Sequence, residues 1–209
     1  MSGGGRHIVS VKMDEIPDLR KKLPKKLGSL LQDIALLIHE NGGHSLLVGG
    51  SVRDLILGQA PHELDMEVRG FNTDHLAQLL LPKYAAEQVG KSFGVLKLKG
   101  FPVEIALPRT ENKNGTGHKG FSIEVDPNLP FEQAAHRRDY TMNAIGLNPL
   151  TGEILDPFNG QQDLREKILR HVSPAFSEDP LRVLRGMQFI ARFHLKPSPE
   201  TISLCQSLS

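Results

Sequence analysis

Leu46-Leu47-Val48-Gly49-Gly50-Ser51-Val52-Arg53-Asp54, followed shortly by Glu63-Leu64-Asp65-Met66-Glu67-Val68, decides how this chain folds. The apolar run ending at Val48 predicts a buried strand, and Val52 to Leu57 has the spacing of a short helix ended by Gly58 and Pro61. Between them the paired glycines permit a sharp strand-to-helix turn. Backbone N–H groups there can approach an anion, the helix N-terminus adds partial positive charge, Ser51 a hydroxyl and Arg53 a cation. That combination would cradle a phosphate, although a plain tight turn needs the same glycines. Neither G-x-G-x-x-G nor G-x-x-x-x-G-K-[ST] is present, so neither a Rossmann dinucleotide site nor a P-loop is indicated.

The second stretch alternates acidic and apolar residues, which predicts a half-buried strand with Glu63, Asp65 and Glu67 on one face and Leu64, Met66 and Val68 on the other. Like charges at that spacing repel, and an exposed polar face is the plain explanation. Carboxylates side by side are also how Mg²⁺ is held for phosphoryl transfer. Val95–Leu98 and Val103–Leu107 read as a hairpin, and Glu104, out of phase with Val103 and Ile105, can join the acidic face. Glu63, Asp65, Glu67 and Glu104 are therefore the candidate metal ligands. None of the 9 histidines pairs with a cysteine.

Outward from this centre, Ser29 is the expected N-cap of a helix from about Leu30 to His39, stopped by Asn41-Gly42-Gly43. Lys21, Lys22, Lys25 and Lys26 bunch around Pro24 in a basic arm over residues 1–27. Asp74 to Tyr84 reads as an amphipathic helix, and Arg109 to about Phe131 as a long loop rich in Gly, Asn, Lys and Pro. A helix is predicted from about Phe131 into Ile145, a short strand at Ile154-Leu155 and a turn at Asp156–Gly160. From Asp179 onward Leu181, Val183, Leu184, Met187, Ile190 and Phe193 form a broad apolar helical face. Another helix begins near Glu200, and the chain has the look of a piece cut from a larger protein.

With 209 residues, 39% hydrophobic and 23% charged, the chain can bury a core, and disordered or collagen-like classes are excluded. Its 25 Lys+Arg against 24 Asp+Glu leave a net charge of +1, so any nucleic-acid partner must be held locally. Met1 to Ser10 carries no apolar h-region, and nowhere do about 18 apolar residues run together, so no membrane association is expected. The lone Cys205 points to a reducing compartment, hence a cytoplasmic location.

Leu47–Asp54 followed by the acidic-x-acidic strand resembles the class II tRNA nucleotidyltransferase and bacterial poly(A) polymerase family. The resemblance extends to His136-Arg137-Arg138-Asp139-Tyr140-Thr141-Met142-Asn143-Ala144-Ile145, to Asp156-Pro157-Phe158-Asn159-Gly160 with Asp163-Leu164, and to Glu178-Asp179-Pro180-Leu181-Arg182. It implies an α/β fold, a small mixed sheet flanked by helices. Residues 28–160 would form the nucleotidyltransferase head, and 161–209 the start of a helical neck. It further implies transfer of C and A residues from CTP and ATP to the 3′ end of tRNA (CCA addition), with pyrophosphate leaving.

On that resemblance Glu63 and Asp65 hold Mg²⁺ and are catalytic, with Glu67 and Glu104 beside them. Gly49, Gly50, Ser51 and Arg53 grip phosphates, while Arg138 and Asp139 recognise ribose. Asp179 and Arg182, three apart at a helix start, offer an acceptor and a donor fork to a base edge. The local alternatives are that Asp179 caps that helix and that Asp139 caps the turn after it. Arg185 and Arg192 can reach phosphates, and Arg109 opens the loop through His118–Phe121 where relatives that add A carry a flexible loop. One departure stands out: Glu63 occupies the place of the family's first Asp. The resemblance equally covers CC-only or A-only addition, poly(A) synthesis and a non-catalytic nucleotide-binding homologue. It also implies that a fragment of this length binds nucleotide far better than tRNA.

Overall fold

The computed structural model describes residues 18–89, 94–113 and 121–208. A 3-10 turn (Leu19–Lys22) leads into α1 (Lys25–Glu40), β1 (His44–Val48), α2 (Gly50–Ile56), β2 (Leu64–Arg69) and α3 (Thr73–Leu80). Next come β3 (Ala86–Val89), β4 (Val95–Leu98), β5 (Val103–Ala106), β6 (Arg109–Lys113) and β7 (Phe121–Val125). Then follow α4 (Phe131–His136), a 3-10 turn (Thr141–Asn143), β8 (Gly146–Leu147), β9 (Ile154–Leu155), α5 (Gly160–Glu166) and β10 (Ile168–Leu169). The last elements are α6 (Leu181–Phe193), β11 (Lys196–Pro197) and α7 (Pro199–Gln206).

Among the described residues seven strands make one mixed sheet in the order β3-β4-β5-β2-β1-β8-β9. The alternation of β2 determines what each face becomes. Leu64, Met66 and Val68 are buried, in one cluster with Leu31, Ile34 and Ile38 of α1 and Leu76 and Leu80 of α3. Antiparallel to β1, β2 sets Asp65 opposite Val48 and Glu67 opposite Leu46; parallel to β5, it sets Asp65 opposite Glu104. Partners in register share a face. The carboxylates therefore lie on the face where Leu46 and Val48 pack with Phe131 and Ala135 of α4. The expected α/β class, with a mixed sheet flanked by helices, holds.

Four local expectations need correction. First, α1 begins at Lys25 behind Pro24, not at Leu30 behind Ser29. The stripe Leu27, Leu31, Ile34, Ile38 extends the buried face one turn further back, and a proline ahead of the first turn sacrifices no helical hydrogen bond. The described part of the arm is accordingly packed: Leu19 and Leu27 are buried, and Lys22 Nζ donates to the Leu55 carbonyl at 2.9 Å. Residues 1–17 lie outside the description. Second, the expected loop after Arg109 holds the antiparallel hairpin β6–β7. Its second strand, Phe121-Ser122-Ile123-Glu124-Val125, alternates with period two, and cross-strand pairing satisfies backbone groups that a loop would leave to water. His118, Lys119 and Gly120 of that loop fall outside the described residues.

Third, the helix from Phe131 stops at His136, and Tyr140 is extended. Backbone pairing replaces the helical bonds there: Thr141 N–H donates to the Arg170 carbonyl at 2.9 Å and Val172 N–H to that of Asp139 at 3.2 Å. Fourth, the broad apolar face of α6 is only partly used. Val183, Ile190 and Phe193 pack on the core, while Leu181, Leu184 and Met187 are 52%, 56% and 61% exposed. Gly186 decides which side docks, because a Cβ there would stand 2.1 Å from the Tyr140 hydroxyl oxygen.

A second glycine ties α5 to the 3-10 turn. At Gly160 a Cβ would come within 2.2 Å of the Thr141 carbonyl oxygen, a backbone atom that cannot swing aside. Gly160→Ala is expected to cost about 1–3 kcal/mol, the usual penalty of overpacking. An unfolding midpoint in urea that matches the unsubstituted chain would show that this contact does not matter.

Candidate functional site

Two clefts lie on the carboxylate-bearing face. One, of about 350 Å³, is lined by Asp65, Glu67, Glu104, Arg109, Arg137 and Arg138 among others. The other, of about 520 Å³, reaches Gly49, Gly50, Arg53, Asp139, Asn143 and Asp179. Asp65, Arg137, Arg138 and Arg182 line both and form the wall between them.

Gly49 has φ +72°, a conformation that an L side chain rarely adopts, and a Cβ there would stand 3.0 Å from Arg138 Nη1. The turn thus delivers the start of α2 to the larger cleft, where the first N–H groups of a helix lack intrahelical acceptors. Ser51 is buried, with its hydroxyl donating to the Val48 carbonyl at 2.7 Å. Arg53, only 5% exposed, is enclosed by protein. Its Nε meets Asp54 Oδ1 at 2.9 Å and its Nη1 meets Asn143 Oδ1 at 2.7 Å, while its guanidinium lies over Phe193 at 4.8 Å and Phe189 at 5.5 Å. As placed, Ser51 and Arg53 brace the cradle; its open surface is the glycine backbone.

Asp65 is the exposed carboxylate of β2. Desolvation pushes its pKa up, Arg138 opposes that shift, and Glu104 and Glu63 reinforce it. Glu104 is ion-paired with Lys97, its register partner on β4. Glu67 differs: buried, it bonds Arg69 and has Arg138 Nη2 at 3.7 Å, so its charge is already matched. Glu63 precedes β2 and lines neither cleft. Among the described residues no three His, Cys, Asp or Glu side chains converge into a ready metal cage. The arrangement still fits Mg²⁺, which commonly takes one or two carboxylates and completes its shell with water and substrate phosphates. The repulsion from Glu104 and Glu63, which adds to the larger effect of desolvation on Asp65, is the cost of keeping such carboxylates adjacent before a cation arrives.

Asp139 lies at the edge of the larger cleft, bound by the Tyr140 N–H (2.8 Å), Asn143 Nδ2 (3.0 Å) and Arg185 Nε (2.9 Å). Arg185, expected near phosphate, is therefore paired with the expected ribose residue. Asp179 Oδ1 accepts from the Leu181 N–H at 3.0 Å, the capping alternative. Arg182 donates to the carbonyls of Ala175 (3.0 Å) and Arg137 (2.8 Å). Those two bonds fix the guanidinium plane and leave hydrogens of its five-donor fork over. Arg192 lines neither cleft and reaches Asp54 Oδ2 at 3.8 Å.

Sequence reasoning assigned nothing to Asn143, Tyr140 or Arg137. All three sit inside a stretch already singled out, yet their roles depend on partners 40 or more residues away, in the cases of Tyr140 on Arg182 and Arg137 on Glu178. Tyr140, buried, donates its hydroxyl to the Arg182 carbonyl at 2.9 Å, and burial holds its pKa far above the ordinary phenol value.

The raised Asp65 pKa has a consequence with a definite sign. A carboxyl whose pKa is higher folded than unfolded favours the folded state while protonated, and that contribution is lost as pH rises through the folded pKa. In EDTA at neutral pH, Asp65→Asn should therefore melt above the unsubstituted chain, and the gap should close as pH falls toward 4. Thermal melts across pH check this; a variant melting lower at neutral pH would contradict it.

Residues 45–170 match the family model described as the poly(A) polymerase head domain. A multifunctional CCA protein of Nitrosococcus oceani is 48% identical over 162 residues, covering 78% of this chain and 38% of that protein. One from Xylella fastidiosa is 42% identical over 170 residues, covering 79% and 39%. The chain thus spans about two fifths of the curated relatives it matches. Among solved structures, a CCA-adding enzyme in its apo form II superposes with TM-score 0.76 at 26% identity, covering 91% of this chain and 46% of that one. The CTP complex of the Bacillus stearothermophilus CCA-adding enzyme gives 0.71 at 27% identity, covering 87% and 43%. With its cleft at the β1–α2 turn, its acidic β2 and this match over more than half its length, the chain belongs to the poly(A) polymerase head domain family.

Proposed function

We propose that this chain is the catalytic head of a template-independent tRNA nucleotidyltransferase that adds C and A residues from CTP and ATP to the tRNA 3′ end. The observation that carries the reading is a single cleft wall: Asp65 stands beside Glu104 across the β2–β5 register and shares the larger cleft with the Gly49–Gly50 turn and with Asp179 and Arg182. Phosphate-binding backbone, the cation-binding carboxylate of Asp65 and a base-edge donor–acceptor pair thereby line one space of about 520 Å³, ample for one nucleotide, with Glu104 beside Asp65 in the adjoining cleft.

In this reading the triphosphate lies at the start of α2, against backbone N–H groups. Glu63 and Asp65, with Glu104 adjoining, would hold Mg²⁺, which when bound lowers the pKa of the attacking hydroxyl and neutralises developing charge on the phosphates. Arg138 and Asp139 face the sugar. Asp179 and Arg182 would select cytosine or adenine by presenting an acceptor and donors to the Watson–Crick edge. The RNA 3′-oxygen forms a bond to the α-phosphorus as the α–β phosphoanhydride bond breaks; pyrophosphate leaves and the hydroxyl proton passes to water. Residues 28–160 would constitute the head and 161–209 the beginning of a helical neck. No helix of the described residues is long and apolar enough to cross a membrane.

The experiment titrates CTP, ATP, GTP and UTP into the 209-residue chain with Mg²⁺, beside Asp179→Ala/Arg182→Ala and Asp65→Asn variants. CTP and ATP should bind about tenfold or more tighter than GTP and UTP, from the one or two base-edge hydrogen bonds to charged groups that favour them. The double variant should erase that preference, and Asp65→Asn should remove the Mg²⁺ dependence. Binding indifferent to the base in the unsubstituted chain would overturn the selection roles. ATP-only binding would favour poly(A) synthesis over CCA addition.

A further inference from the structure

The larger cleft contains one buried side chain that the proposed mechanism leaves without a task. Asn143 is 5% exposed and stands in the cleft lining between Arg53 and Asp139. Its Oδ1 accepts from Arg53 Nη1 at 2.7 Å, and its Nδ2 donates to Asp139 Oδ1 at 3.0 Å. A guanidinium can only donate and a carboxylate accepts, so the two partners fix which end of the amide faces which.

Asp139 is held by this amide on a nearly filled carboxylate. Oδ1 takes the Tyr140 N–H and Asn143 Nδ2, while Oδ2 takes Arg185 Nε at 2.9 Å and Nη2 at 2.8 Å. Four donors occupy the roughly four acceptor directions of a carboxylate. A sugar hydroxyl that binds Asp139 must therefore displace one of them, and the four are not equally held. The Tyr140 N–H is backbone, and Asn143 is buried and pinned from behind by Arg53. Arg185, in the same cleft lining, is 54% exposed. The exchangeable partner is Arg185, and the fixed one is Asn143.

We infer that Asn143 is a positioning residue for sugar selectivity: it clamps Oδ1 of Asp139, so that Oδ2 meets a ribose 2′-hydroxyl in place of Arg185. The inference rests on the proposed reading of the cleft as a ribonucleotide site. It adds a linkage, because the same amide holds Arg53, whose Nη2 lies 3.2 Å from where a Gly50 Cβ would stand. The phosphate-side turn and the sugar-side carboxylate thus share one side chain.

The test compares CTP and dCTP binding, with Mg²⁺, by the 209-residue chain and by its Asn143→Asp, Asn143→Ala and Asp139→Ala variants. Asn143→Asp keeps size and the acceptor for Arg53 but replaces the donor facing Asp139 with a repelling oxygen. Both Asn143 variants should weaken CTP about tenfold, the scale of a lost hydrogen bond to a charged group, and leave dCTP within about twofold. The preference for CTP over dCTP would then collapse. If both nucleotides weaken equally in both variants, Asn143 merely supports the fold and the inference fails. If Asp139→Ala abolishes the preference while either folded Asn143 variant keeps it, the inference alone fails. A preference that survives Asp139→Ala removes the ribose reading itself. Thermal melts identify a variant that does not fold, and the other variant then decides.

Discussion

Everything at this site follows from the register of β2. Because it is central in the sheet, paired antiparallel with β1 on one side and parallel with β5 on the other, its alternation cannot slip by one residue without turning Leu64, Met66 and Val68 into the cleft and Asp65 and Glu67 toward the core. Both neighbours then inherit positions from it. The end of β1 is brought beside Asp65, which places the Gly49 turn and the start of α2 there; β5 places Glu104 beside Asp65 on the other side. Hydrophobic burial on one face thus fixes the polar geometry of the opposite face, at a strength that no surface ion pair could supply.

The arginines complete the arrangement by being spent where a motif reading would not place them. Arg53 sits in the phosphate-cradle stretch, yet its charge is enclosed by Asp54, Asn143, Phe189 and Phe193. A buried guanidinium is tolerated only with such partners, and this one fastens α6 to α2. Tyr140 fastens α6 again one turn from its start, through the Arg182 carbonyl and the notch at Gly186. Asp179 and Arg182, at the start of α6, are therefore located relative to Asp65 by two joints, one through Arg53 and one through Tyr140.

This explains which features were legible in the sequence. Strand β2, the glycine turn, the β4–β5 hairpin and Glu104's place on the acidic face are set by short-range alternation and by glycine's backbone freedom, which a single stretch of chain displays. The extension of α1 past Ser29 was legible in Leu27 and Leu31 but was masked by a plausible cap. The break after His136 was not legible, because Tyr140 and Thr141 leave the helix to pair with Arg170–Val172, a partner given only by the fold. The division between bracing and contacting residues was hidden for the same reason: Ser51 and Arg53 have the right chemistry for phosphate, and only burial shows that protein groups already use it.

The last constraint is electrostatic. A net charge of +1 gives the whole molecule little attraction for a polyanion, and several of the cleft arginines already stand against carboxylates. Arg137 is matched by Glu178, Arg138 approaches Glu67, and Arg185 is held by Asp139. Pre-paired arginines are ordered before ligand binds, so little side-chain entropy is lost on binding, while an incoming phosphate or hydroxyl exchanges one acceptor or donor for another instead of desolvating a free ion. The exchange favours the ligand only where the existing pair is exposed and the partner left behind is held by something else. Arg185 on Asp139 meets both conditions, the first by its exposure and the second through Asn143; Arg53 on Asp54 and Asn143 fails the first, being 5% exposed. A cleft built this way discriminates by which of its internal bonds a ligand can replace, and selectivity then resides in the buried groups that hold the survivors of the exchange in place.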